Sequence, residues 1–218
     1  MSSSSLKDPI SGLTHLIGVI LSVIGLILLV YRAAVAGKPW HVVTFAIFGA
    51  SMILLYTAST LYHWLPLSEA GTRILRKLDH VMIFILIAGT YTPICLVPLR
   101  GPWGWSLFGC IWGLALSGIG FKLIWFKAPR WVSTALYMAM GWLVIVAVWP
   151  LVQVLRVGGL LWLLAGGLFY TVGAVIYGLK KPDPWPGVFG FHEIFHLFVL
   201  LGSFCHFWLM FGYIAVIG

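Results

Sequence analysis

Seven apolar runs, each close to the length of a bilayer crossing, constrain this chain more than any other feature. A spanning helix needs about 20 predominantly apolar residues. The runs fall at about Leu13 to Ala36, His41 to Trp64, Asp79 to Val97, Trp103 to Trp125, Trp131 to Leu151, Gly158 to Leu179 and Gly190 to Ile217. The breaks Gly37-Lys38-Pro39, Arg100-Gly101-Pro102, Lys127-Ala128-Pro129-Arg130 and Lys180-Lys181-Pro182-Asp183-Pro184 combine charge with helix breakers. The predicted fold class is therefore all-α: a polytopic membrane protein built as a seven-transmembrane-helix bundle. With 218 residues, 61% of them hydrophobic and 8% charged, and a mean hydropathy of +1.06, there is no room for a soluble domain. The whole of 1–218 reads as one transmembrane domain, preceded by a short disordered arm over about residues 1–9. The first run has no small-residue cleavage site and reads as a retained span, not a signal peptide.

The net charge of +8 sits in short clusters between the runs, as expected beside anionic headgroups, and does not form a nucleic-acid patch. Nine of the basic residues, including Lys7, Arg73, Arg76, Lys122 and Arg130, fall on the side of the N-terminus; Arg32, Lys38, Arg100 and Arg156 fall on the other. The positive-inside rule then predicts a cytoplasmic N-terminus, an outside C-terminus, and a multi-pass protein of the cell membrane. Cys95, Cys110 and Cys205 lie inside apolar runs without C-x-x-C spacing and read as small core residues. Glycines inside spans, among them Gly18, Gly25, Gly113, Gly166 and Gly167, are expected to permit close helix packing.

The stretch Phe191-His192-Glu193-Ile194-Phe195-His196 opens the last run. On a helix, residues four apart share a face, so His192 and His196 can present two imidazoles to one metal ion. The string also fits H-E-x-x-H, in which both histidines bind zinc and the glutamate is a general base. A plainer reading is two interfacial histidines and a glutamate at a membrane surface. The predicted topology brings His63, at the end of the second span, and Asp79, at the start of the third, to the same face and depth. Three histidines and an open position suit catalytic zinc, at which water is acidified towards neutrality and becomes a nucleophile.

Asp79 admits three readings: a partner that orients a ligand histidine, a general base, or a helix N-terminal carboxylate stabilised by the macrodipole. Ser59, one turn from His63, either bonds its own backbone or lines the site and steadies a substrate oxyanion. Glu193 is the competing base, although it diverges by about 100° from His192, and Asp79 is preferred. His15 is either an interfacial residue or an outer contact of the site. His80 is expected to point elsewhere, and His206, about 15 Å further along its helix than His196, to hydrogen-bond a neighbouring helix.

The residues Ser59-Thr60-Leu61-Tyr62-His63, Leu78-Asp79-His80 and His192-Glu193-Ile194-Phe195-His196 together resemble the S-x-x-x-H, D and H-x-x-x-H set of the hemolysin III family. That family is the bacterial branch of the progestin and adipoQ receptor family, which includes the adiponectin receptors and is similar to alkaline ceramidases. The resemblance covers nearly the whole chain. It implies Zn2+ near the cytoplasmic face on His63, His192 and His196, with Asp79 and Ser59 as associated catalytic residues. It further implies a metal-dependent hydrolase acting on an amide or ester of a membrane lipid, with a part in membrane-lipid homeostasis. The chain has no long soluble N-terminal region of the kind the animal receptors carry, so a hormone-receptor function does not carry over. Membrane lipids are the expected partners, as substrate or ligand. A sensor with structural zinc is the alternative. A lytic pore is disfavoured, because no span carries a regular polar stripe.

Overall fold

The computed structural model describes residues 6–218, and among these seven helices are long and apolar enough to cross a membrane. They are α1 (Pro9–Val35), α2 (Pro39–Trp64), α3 (Glu69–Leu96), α4 (Pro102–Ile124), α5 (Arg130–Val154), α6 (Val157–Leu179) and α7 (Phe191–Ile214). Proline occupies the first turn of α1, α2 and α4, where its missing N–H costs nothing and its fixed φ suits the helix. Gly37 closes the α1–α2 turn with φ +64°, a left-handed conformation that favours glycine.

Membrane character shows in what is buried. The inward face of α1 is Ser11, Gly12, His15, Gly18, Ser22 and Gly25, then Leu29 and Ala33, while Ile20, Leu21, Ile27 and Leu28 are exposed. Over the first five turns of α1, small and polar residues face the bundle and large apolar ones face outward, as a lipid surround allows. Successive helices pack side by side, and α7 returns against α1, so the bundle closes into a ring. Close approach is clearest between α6 and α7. Gly159, Gly166 and Gly173 are buried at seven-residue spacing. A Cβ at Gly166 would lie 2.6 Å from the His206 ring, and one at Gly173 would lie 2.9 Å from Phe198. Gly113, by contrast, faces open space and packs no helix.

Three sequence expectations change. First, α3 begins ten residues before Asp79, capped by the Ser68 hydroxyl, which accepts from Gly71 N at 3.3 Å. Charge at Arg73, Arg76 and Lys77 marks where the apolar stretch begins, not where the helix begins. Asp79 therefore lies about 15 Å along the helix, outside the reach of the macrodipole, which fades within the first turn. Second, α5 is not continuous: Leu143–Ala147 form a 3₁₀ turn. The Tyr91 hydroxyl fills the break, 2.9 Å from the Met140 carbonyl and 2.8 Å from that of Gly141, and accepts from Val144 N at 2.7 Å. Neighbouring side chains are what make a broken helix tolerable in lipid. Third, Cys110 is exposed on α4, and only Cys95 and Cys205 are buried. Of the arm expected over residues 1–9, residues 1–5 lie outside the described residues, and Pro9 already belongs to α1.

The ring encloses a cavity of about 970 Å³, at the upper end of the usual range for small-ligand sites. Its walls are largely apolar, with Leu86, Ile87, Ile94, Leu163 and Val199 among them. The end of α2 and the starts of α1 and α7 meet at one end of it.

Candidate metal centre

His63, His192 and His196 converge, with one ligand nitrogen from each lying within 4.8 Å of the others. Among the described residues no other His, Cys, Asp or Glu joins this group. His63 comes from the last turn of α2; His192 and His196 come from the first two turns of α7. His63 and His196 are buried and His192 is half-buried.

The hydrogen bonds fix which nitrogen the His63 and His196 rings offer. His63 Nδ1 faces Asp8 Oδ2 at 3.1 Å, so it carries the proton and leaves Nε2 bare. His196 Nδ1 lies 3.2 Å from the Ser11 carbonyl and 3.1 Å from the Thr14 hydroxyl. The Thr14 hydroxyl donates its proton to Ser11 O, so both oxygens facing His196 Nδ1 are acceptors, Nδ1 carries the hydrogen, and His196 Nε2 is again the free nitrogen. His192 Nε2 stands 3.2 Å from His63 Nε2. Unprotonated imidazole nitrogens held from behind by an oxygen acceptor, as in His63 and His196, are the usual form of a histidine metal site. The group fits a borderline-soft divalent ion, and a three-nitrogen set is one that zinc adopts.

The outer support comes almost entirely from the first two turns of α1. Asp8 N donates to His63 O at 2.8 Å, and Trp64 Nε1 donates to Pro9 O at 3.1 Å. Gly12 leaves room for the Trp64 indole, which a Cβ there would overlap. On the other side the Ser11 hydroxyl donates to Glu193 Oε1. The start of α1 thus locks the end of α2 to the start of α7. Sequence reasoning missed Asp8, Ser11 and Thr14. The available signal was scarcity: only five acidic residues occur in the chain, and one of them immediately precedes a span.

Both carboxylate oxygens of Glu193 are engaged by groups other than the histidines. Its Oε2 accepts from Gly190 N at 2.8 Å, capping α7, and its Oε1 is taken by Ser11. The H-E-x-x-H glutamate is here a helix cap and interhelical tie. Asp79 and Ser59 line the cavity that the histidines face, and lie close to one another in its wall. The Ser59 hydroxyl is buried beside the Asp79 carboxylate and does not bond its own backbone. His15 is buried rather than interfacial: it stacks on His196 with ring centres 3.6 Å apart and planes 11° from parallel. Neither of its nitrogens has a partner. His80 also lines the cavity, its Nδ1 donating to Arg76 O at 2.7 Å. His206 makes no interhelical hydrogen bond through Nδ1 and instead stacks on Tyr170.

One consequence is directly measurable. Asp8→Ala removes the acceptor behind His63 without touching a ligand atom, and losses of this kind weaken metal sites by about 10–100-fold. Competition with a chromogenic chelator should show that drop; unchanged affinity would mean Asp8 does not orient His63.

Seven membrane-crossing helices that gather three histidines at one end of an internal cavity define the class: a polytopic membrane protein with a candidate metal site. The sequence profile described as Haemolysin-III related matches residues 4–207, and the chain belongs to that family. It is 45% identical over 201 residues to the hemolysin-3 homolog of Bacillus subtilis (strain 168), covering 91% of each chain. It is 44% identical over 204 residues to hemolysin-3 of Bacillus cereus, covering 94% of this chain and 90% of that one. The human monocyte to macrophage differentiation factor is 26% identical over 180 residues, 80% of this chain and 72% of its own. More distant similarity reaches the progestin and adipoQ receptor family, adiponectin receptors included.

Proposed function

We propose that this protein is a zinc-dependent hydrolase that cleaves an amide or ester bond of a membrane lipid. One observation carries the reading: the three-histidine cluster lies against a largely apolar cavity that an acid, Asp79, and a neighbouring hydroxyl, Ser59, also line. A zinc ion with three protein ligands supplies Lewis acidity and lowers the pKa of water at its fourth position. His63, His192 and His196 would hold it through their Nε2 atoms. Asp79 would take the proton from the attacking water, a role Glu193 is too engaged to fill. Ser59 Oγ, which sits beside the Asp79 carboxylate and is not held by its own backbone, would donate to the developing oxyanion. Asp8 and the Ser11 carbonyl keep the His63 and His196 rings in the tautomer that can bind a metal. The apolar walls would receive the acyl chain. By the positive-inside rule the N-terminus and the metal site would lie near the cytoplasmic face of the cell membrane, and the product would enter membrane-lipid homeostasis.

The test is lipid mass spectrometry of proteoliposomes made from a whole bacterial lipid extract. Zinc-loaded protein should release a free fatty acid and the matching amine or lysolipid, and chelated protein should not. No product from zinc-saturated protein, or the same product after chelation, would overturn the reading. A second reading, a sensor with structural zinc, draws on the α1 clamp. Because α1 holds the backs of ligands from both α2 and α7, metal loss would loosen three helices at once.

A further inference from the structure

Another part of the cavity wall carries a group of cations for which neither the metal site nor the lytic reading has a use. Lys122 on α4 is buried, at 4% exposure. Its ammonium donates to the Ser133 hydroxyl at 2.9 Å. No carboxylate lies within ion-pairing distance of it among the described residues. Lys122 and Arg76 both approach the Phe126 ring, at 5.3 and 5.8 Å from its centre. Arg130 covers the Tyr177 ring at 4.5 Å, and Tyr177 in turn lies 5.9 Å from the His192 ring. One aromatic ring therefore separates this cation group from the metal site. Arg76, Lys122 and Arg130 all line the same cavity as the histidines.

A charged side chain inside a membrane protein is costly unless it is paired, and it marks a ligand path when the protein offers no partner. Neither nearby acid forms an ion pair with these cations among the described residues: Asp79, although near Arg76, leans towards His80, 3.9 Å from its Nδ1, and Glu69 lies in a neighbouring groove that Arg73, Arg76 and Phe126 also line. Basic residues at a membrane surface ordinarily meet headgroups from outside. Lys122 instead points into the cavity. We infer that Arg76, Lys122 and Arg130 form a binding site for the phosphate of an anionic phospholipid whose chain occupies the apolar cavity. Two guanidinium groups and an ammonium offer charge-assisted hydrogen bonds suited to phosphate oxygens. Ile83, Ile87 and Met138 supply apolar contact for the chain. The site goes beyond the hydrolase reading and does not depend on turnover, so binding tests it separately.

Native mass spectrometry of the full-length protein, released from mixed micelles of dioleoyl phosphatidylglycerol and dioleoyl phosphatidylcholine, reads retained lipid directly. Wild type should retain the glycerol lipid over the choline lipid by about tenfold, the preference expected for one or two charge contacts. Lys122→Gln with Arg130→Gln should abolish that preference. Should the double variant fail to fold, Arg76→Gln with Arg130→Gln replaces two exposed residues and should lose it too. Lys180→Gln with Lys181→Gln, in the α6–α7 loop, should leave it intact. The preference should survive chelation and millimolar inorganic phosphate. Equal retention of both lipids by wild type would overturn the inference. So would a preference lost equally in the loop variant, which indicates general surface attraction. Displacement by inorganic phosphate alone would also overturn it, by showing an ion site without a lipid.

Discussion

Protein carrying His63→Ala and His192→Ala together is expected to purify with almost no zinc, where wild type carries about one ion per chain. The two changes remove one ligand from α2 and one from α7, leaving His196 alone. A single imidazole does not retain zinc through detergent purification. The loss should exceed the roughly 10–100-fold that follows from removing an outer partner such as Asp8. Stability should follow occupancy, since an ion that binds only the folded state stabilises it by about 2.7 kcal/mol at a hundredfold excess over Kd. Chelation should therefore lower the melting temperature of wild type and leave the double variant nearly unchanged. Elemental analysis showing full zinc in the double variant would remove these histidines from the site, and an equal thermal drop in both would mean the chelator acts elsewhere.

The second large effect is on turnover. Asp79→Asn preserves shape and a hydrogen-bonding group but removes the charge. Asp79 lies about three turns into α3, so the change does not disturb the start of that helix. Nor does it touch the three ligand rings. Zinc content and fold should persist, while lipid hydrolysis falls by about 10²–10⁴-fold, the usual contribution of a positioned general base. The assay belongs at saturating zinc, so that any weakened affinity does not register as lost chemistry. Glu193→Gln should behave differently. Its carboxylate caps α7 and holds Ser11, so stability should suffer more than rate per folded molecule. Wild-type hydrolysis by Asp79→Asn would remove Asp79 as base. If neither substitution changes a measured rate, the structural-zinc sensor becomes the better account.

The spans and the three histidines were legible because both depend on spacing along the chain. Hydropathy over about 20 residues locates a crossing, and the four-residue step from His192 to His196 shares a helix face in any context. What hydropathy could not locate was a helix end outside the apolar zone, which is why α3 begins at Glu69 and not at Asp79. The α5 break was hidden because its cause, the Tyr91 hydroxyl, comes from another helix. Asp8, Ser11 and Thr14 were hidden for the same reason: their partners are His63, Glu193 and His196, at sequence separations of 55 and more. The H-E-x-x-H pattern misleads here over Glu193. In this chain the motif opens a helix, and a glutamate at the third helical position has a capping task at hand.

Zinc K-edge X-ray absorption on metal-replete protein tests the open three-histidine site most directly. The predicted spectrum has three imidazole nitrogens at about 2.0–2.1 Å and one oxygen neighbour, and it disappears with the zinc in the His63→Ala, His192→Ala variant. A sulfur neighbour, a closed set of four protein nitrogens, or the same spectrum in that variant would contradict it.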